Sequence, residues 1–264
     1  MVARMKRDNI FWGSVLIIVG VLLYLQTEGI IRNVFQYFWP LALMLVGSWI
    51  ILGVYWKPAN STEESFSIPL GAAQSVNYHF SHGAGQLEIS GGAPTGQALA
   101  GTSAVGMNRK SELNGDQLEV RIEAGASFLP IVGPSEGLWR FQLAQNIPVL
   151  LTVEAGASFV NVDLTDVHAT RFALKMGASS AVVTMPARGP SLLDVEAGAA
   201  SLNIRVPEST AARIRVKNSV VAANVDTNRF PRIDSGLYQS SNFDTASDRS
   251  EIDIQSGLGS VSVK

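Results

Sequence analysis

The stretch "LLTVEAGASFVNVDL" (150–164) sets two short alternating runs on either side of a glycine, and it has close copies. "RFALKMGASSAVVTM" (171–185) and "SLLDVEAGAASLNIRV" (191–206) share its form, and "VEAGA" occurs at 153–157 and 195–199, with "IEAGA" at 122–126. Setting Val153 under Leu174, Val195 and Val216 aligns four segments at a spacing of 21 residues. Gly156, Gly177, Gly198 and Ser219 then share one column, Val162, Val183, Ile204 and Val225 another, and Pro186 and Pro207 a third. Alternation with period two in such short runs argues for strands. A fixed period argues for coils stacked along an axis. Each unit reads as strand, small-residue corner, strand, turn.

The flanks repeat the shape less strictly, in "VNYHFSHGAGQLEISGG" (76–92) and "IDIQSGLGSVSVK" (252–264). The expected corner residues are Gly125, Gly156, Gly177, Gly198 and Gly257. Gly125 precedes Gly156 by 31 residues, one repeat plus an insertion placed in "PIVGPSEGLWRFQLAQN" (130–146), where Trp139 and Phe141 would cap or overlap a neighbouring coil. Glycine suits a corner because the backbone there takes positive φ or lies against another coil. Two residues before each corner stand Glu154, Lys175, Glu196 and Lys217. Stacked in register about 4.8 Å apart, they would form a ladder of alternating charge. A phosphate-binding loop would need a helix directly after the glycines, and here a strand follows each time.

Outside the repeat the chain changes character. Of its 264 residues 47% are apolar and 16% charged, but the split is uneven. Five of the 20 Lys+Arg and two of the 22 Asp+Glu fall in residues 1–57, which leaves 15 cations against 20 anions, a formal −5, for residues 58–264. With no basic patch, nucleic acid is not expected as a partner. The absence of cysteine excludes disulfides and thiol chemistry.

Residues 10–27 and 33–56 are uncharged runs of 18 and 24 residues, the first just long enough and the second amply long enough to cross a bilayer as helices. Phe11 and Trp12, then Tyr37, Phe38 and Trp39, and finally Tyr55 and Trp56 mark the interfaces. Gly13 and Gly20 on one helix and Gly47 and Ser48 on the other permit close packing, and "EGIIR" (28–32) makes a tight hairpin. Arg4, Lys6 and Arg7 outweigh Arg32 in the loop, so the N-terminus is expected in the cytoplasm, and two crossings return the β domain to that side. The expected layout is a two-helix membrane hairpin over 1–57, a linker over 58–67 and a β-solenoid over 68–264.

The apolar segment "NIFWGSVLIIVGVLLYLQTEGI…FWPLALMLVGSWIILG" resembles the transmembrane region of LiaI/LiaF-type bacterial proteins. "HGAGQLEISGG" (82–92), "LWRFQLAQNIPVLLTVEAGASFVNVDLTDV" (138–167), "LLDVEAGAASLNIRVP" (192–207) and the tail "GLYQSSNFDTASDRSEIDIQSGLGSVSV" are similar to the toast-rack domain of LiaF-like envelope proteins. The resemblance implies a right-handed, single-stranded β-solenoid on a membrane hairpin. It also implies a role in sensing or restraining cell-envelope stress, often beside a sensor kinase. It brings no catalytic residues and no cofactor. This chain has two expected spans where some relatives have more.

The remaining chemistry is sparse. Of the three histidines, His79 and His82 would point to opposite faces of a strand, and His168 stands apart, so no metal site is expected. Asp163, Asp166, Asp194 and Asp226 are the carboxylates a glycan-cleaving solenoid could use, yet the column Asp163, Thr184, Arg205, Asp226 does not cluster charge. The polar segment 226–250 is expected as a loop with at most one short strand, either capping the solenoid or contacting a partner through Phe230, Tyr238 and Phe243. The reading is a non-enzymatic, membrane-anchored module acting on membrane or cytoplasmic proteins, with a homo-oligomer open. The alternatives are an extracytoplasmic adhesive module that binds wall polymer or lipid, and a glycan-cleaving enzyme.

Overall fold

The computed structural model describes residues 64–103, 107–124, 138–217 and 221–264, with scattered positions between 13 and 44. The chain divides into two compact units, Met1–Pro58 and Ala59–Lys264. In the first, described positions such as Gly13, Leu16, Gly20 and Tyr24 are helical. Among the described residues no helix is long and apolar enough to cross a membrane. The expected spans, and most of the residues assigned to them, lie outside the described residues.

Among the described residues the second unit is one sheet of 14 strands. Its spine consists of five long strands, β2 (Ser75–Gly91), β7 (Val149–Asp163), β8 (Ala169–Thr184), β9 (Pro190–Arg205) and β14 (Arg249–Val263), which run parallel in that order. Each passes through the corner, where burial alternation breaks: in β7, Val153 and Ala155 are buried, Gly156 and Ala157 exposed, and Ser158 and Val160 buried. The two arms therefore fold about a shared interior. Val149, Leu151 and Val153 from one arm meet Val160, Val162 and Leu164 from the other in a single apolar core.

At either end of the spine the arms are completed by separate strands. β5 (Gln117–Ala124) pairs with the first arm of β2, and β6 (Leu138–Leu143) with the second. β4 (Met107–Asn114) edges β5, while β3 (Gln97–Ser103) and then β1 (Glu64–Pro69) extend from β6. At the far end β10 (Ala211–Lys217) and β11 (Val221–Val225) pair with the two arms of β14. A hairpin of β12 (Arg232–Asp234) and β13 (Leu237–Gln239) then covers β10.

Four expectations change. Val216 follows Val195 by one period, yet it stacks on Ile254, because β14 lies between β9 and β10. β14 matches β9 over nearly its whole length, whereas the fourth repeat is split into two short strands. Likewise β2, and not the segment holding Gly125, precedes β7 in the stack; Gly125 and Ser219 themselves lie outside the described residues. Trp139 and Phe141 belong to β6, in register with Leu87 and Ile89, and are buried rather than part of an insertion. Residues 64–67, expected in a linker, start β1, because Phe66 packs on the core and Ile68 is buried.

Segment 226–250 holds two short strands and closes the end of the core. Phe230 and Phe243 are buried and Tyr238 is half-buried, so these aromatics are cap residues and not a free contact face. The Arg229 guanidinium donates to the carbonyls of Val206 (2.9 Å) and Pro207 (3.0 Å) and lies over the Phe230 ring. Arg213 lies over Phe243 and is paired with Asp244 at 2.9 Å.

Candidate functional site

The corner is the most regular surface of the domain. Gly83, Gly156, Gly177, Gly198 and Gly257 form one row across the five spine strands. A Cβ built on Gly177 would lie 2.9 Å from the Gly156 carbonyl oxygen, one on Gly198 3.1 Å from that of Gly177, and one on Gly257 2.9 Å from that of Gly198. A Cβ on Gly156 would meet the Gly83 carbonyl oxygen. None of these glycines has a positive φ. Close approach of successive coils, and not left-handed backbone, is what requires glycine here. Ser179 bridges the ladder at this point: its hydroxyl donates to the Gly156 carbonyl (2.8 Å) and accepts from the Ser158 N–H (3.2 Å).

Beside the glycines runs the charged row. Glu154 is in register with Lys175, and Lys175 with Glu196. The Lys175 Nζ lies 3.5 Å from Glu154, and His79 is 3.8 Å from the same carboxylate. The ladder then departs from expectation: Glu196 faces Gln255 on β14, and Lys217 is the neighbour of Gln255, not of Glu196. The row still places no like charges side by side. Each pair is half-exposed, so each contributes at most about 1 kcal/mol. Together the rows line an open groove of about 700 Å³ that includes Glu154, Gly156, Lys175, Gly177, Glu196 and Gly198.

His82 lies at one end of this groove and is 3% exposed, with both ring nitrogens unpartnered and the ring 4.6 Å from that of Trp139. Burial pushes its pKa down to about 4, so the ring is neutral at ordinary pH. Tyr78, buried on the same strand, donates its hydroxyl to the Ala98 carbonyl and accepts from the Ala144 N–H; burial raises its pKa. Sequence reasoning assigned neither residue a role, since alternation alone does not tell which strand face closes against Trp139 and Phe141.

A second, polar cleft of about 690 Å³ opens where three successive turns stack, between Gln145, Asn146, Asp166, His168 and Arg188. The four carboxylates considered for catalysis do not converge. Asp163 accepts from the Thr165 N–H (3.0 Å) and hydroxyl, and Asp226 from the Asn228 N–H (3.0 Å), so both hold turns. Asp194 sits 3.8 Å from Arg171, and Asp166 is exposed in the polar cleft. Among the described residues no group of three or more His, Asp or Glu side chains could hold a metal ion.

Residues 57–205 match the model of the N-terminal domain of toast_rack, DUF2154. The chain belongs to the toast-rack family. Residues 10–51 match the LiaI-LiaF-like transmembrane region, so the toast-rack domain follows a membrane region of that type. The toast-rack match ends with β9, before the inserted β14. In structure, the chain is similar to a candidate cell adhesion protein from Clostridium sporogenes, with a TM-score of 0.70 and 19% identity over 77% of this chain and 98% of that one. At that identity the likeness shows the fold alone. A candidate adhesin from Bacteroides fragilis aligns over 76% of this chain and 96% of its own, at 6% identity and a TM-score of 0.20, too low to carry an argument. Among curated protein sequences, none matches.

Proposed function

We propose that this toast-rack protein is a membrane-anchored, non-enzymatic module that works by protein–protein contact in a bacterial cell-envelope stress response, with a sensor kinase as one class of partner. The observation that carries the reading is the pairing of a LiaI-LiaF-like membrane region with a toast-rack sheet whose spine is parallel. That sheet's regular features serve stacking and not chemistry. The glycine row fits coil to coil, and Asp163, Asp194 and Asp226 are engaged in turns or an ion pair. Such a sheet presents fixed rows of side chains to a partner, and membrane attachment raises the effective concentration of the two. The charge bias around the first apolar run favours a cytoplasmic position for the domain.

The polar cleft at the stacked turns favours a second reading, an extracytoplasmic module that binds wall polymer. Its amides, carboxylate, imidazole and guanidinium suit a hydroxylated chain. Sidedness separates the two. Ser241 is exposed and the chain has no cysteine, so Ser241→Cys can be labelled with an impermeant maleimide on intact cells. Protection until lysis supports the cytoplasmic reading, and immediate labelling transfers support to the wall-polymer reading. Native-membrane co-purification that returns no kinase or envelope-stress protein would remove the signalling role.

A further inference from the structure

Each arm of the sheet ends, among the described residues, in strands whose outer side is unpaired: β4 and β12 on the first arm, β1 and β11 on the second. Such an edge is a template for another chain, and folded proteins guard it with charge, proline, bulges or short length. Three of the four edges are guarded. β4 carries Arg109, Lys110 and Glu112, and β1 carries Glu64 and ends in a register shift at Pro69. β12 has only three residues, two of them Arg232 and Asp234. β11, "VAANV", has no charge and no proline, and its register against β14 is unbroken.

The Asp226 N–H donates to the Val263 carbonyl on β14 (3.0 Å). Strand alternation therefore turns the N–H and C=O of Asn224 and Ala222 toward β14, and those of Ala223 and Val225 away from it. Among the described residues nothing bonds to these outward groups. The core is open at the same place. The interior row Leu87, Val160, Ala181, Leu202, Val261 is buried in every strand, yet Ala223, next in that row, is exposed. Hydrogen bonding and apolar cover both stop one strand short.

We propose that the outer edge of β11 is a docking edge, and that its occupant is an extended segment of a partner protein, added as a further strand. The outward N–H and C=O groups match main chain, and the open row beside Ala223 matches an apolar side chain at every second residue, with no charge at the centre. A second copy of this chain does not fit. Like edges pair antiparallel about a two-fold axis normal to the sheet, which keeps both first arms on one side. In each copy the first arm adds β10, β13 and β12 beyond β14, where the second adds β11 alone. These overhangs of two strands, about 10 Å, would collide. The proposal rests on the protein–protein reading above and names the edge through which the contact is made.

The test uses the full chain in detergent micelles. The probe is a labelled peptide of Ser158–Leu164, "SFVNVDL", which has the alternation of a spine strand's second arm. Saturable binding by fluorescence anisotropy is expected, with slowed amide exchange at Ala223 and Val225. Ala223→Pro deletes an outward N–H that β14 does not use, so the variant should melt with the parent. Its probe binding should fall at least about tenfold, because a buried carbonyl of the added strand loses its donor. Ala223→Asp, a charge in the open row at an exposed position, should weaken binding as much and keep the fold. No binding to the parent, binding that survives both substitutions, or a dimer of the full chain that Ala223→Pro dissolves overturns the proposal. A kinase or envelope-stress protein that co-purifies equally with the parent and Ala223→Pro overturns it too, and leaves the regulatory reading standing. If the parent returns no such protein while the probe still protects β11, the regulatory reading falls and the docking edge stands.

Discussion

Substituting alanine along the glycine row should have opposite effects in its middle and at its β2 end. At Gly177 the new Cβ would lie 2.9 Å from the Gly156 carbonyl oxygen, about 0.5 Å inside ordinary contact. Both atoms belong to strands pinned on either side, by the pairing of Ala155 with Met176 and of Phe159 with Ser180. Relief requires β7 and β8 to spread, an overpacking cost of about 1–3 kcal/mol. The reduced freedom of the unfolded chain offsets about 0.4–1 kcal/mol of that. Gly177→Ala should therefore destabilise by about 1–2 kcal/mol, a fall in Tm of roughly 2–8 °C for a domain this size. At Gly83 nothing lies within 4 Å of the added Cβ, and φ is not positive. Gly83→Ala keeps only the unfolded-state term and should raise Tm by about 1–4 °C. Thermal melting of the full chain, followed by far-ultraviolet circular dichroism, distinguishes the two. If Gly177→Ala melts no lower than the parent, or both variants fall together, close coil approach is not why the row is glycine.

Lys175→Glu places three carboxylates in adjacent register and should cost about 1 kcal/mol in urea melts, whereas Lys110→Glu, opposite Arg121 on exposed β4, should cost nothing. Ser179→Ala strands the Ser158 N–H and the Gly156 carbonyl at the corner, and a loss of about 1–3 kcal/mol by chemical denaturation is expected. His82 has a folded pKa of about 4, below its unfolded value near 6.5, so the unfolded chain takes up the proton first. Stability is then full above pH 6.5 and declines as pH falls to about 4, by about 3 kcal/mol at most. His82→Leu should remove that part of the slope, and an unchanged pH profile would show that the imidazole protonates freely in the folded state.

The corner, its spacing and its charged row were legible in one dimension, because three consecutive coils each repeat the same local demand. Gly156, Gly177 and Gly198 recur where backbone meets backbone, and Glu154, Lys175 and Glu196 recur where strands stack in register. The polar tail was readable only in part: its composition marks a loop, but the burial of Phe230 and Phe243 depends on which core they close. His82 carried no local signal at all. Its unpartnered ring follows from the approach of Trp139, which lies 57 residues away in sequence.

What the sequence determined by itself is the coil: alternation sets strands, glycine at a fixed period sets the corner, and a long apolar segment precedes them. What the tertiary structure alone decided is the order in which the coils stack. Periodicity predicts that β10 follows β9, but β14 takes that place. Closing the 59-residue offset from β9 to β14, instead of one period of 21, costs only about 0.9 kcal/mol more in loop entropy. Against that, β14 offers β9 an unbroken strand through both arms, where the fourth repeat offers two separate pieces. Loop closure rises only logarithmically with length while strand pairing rises with every residue matched, so the distant strand wins, and no reading of adjacent repeats could have shown it.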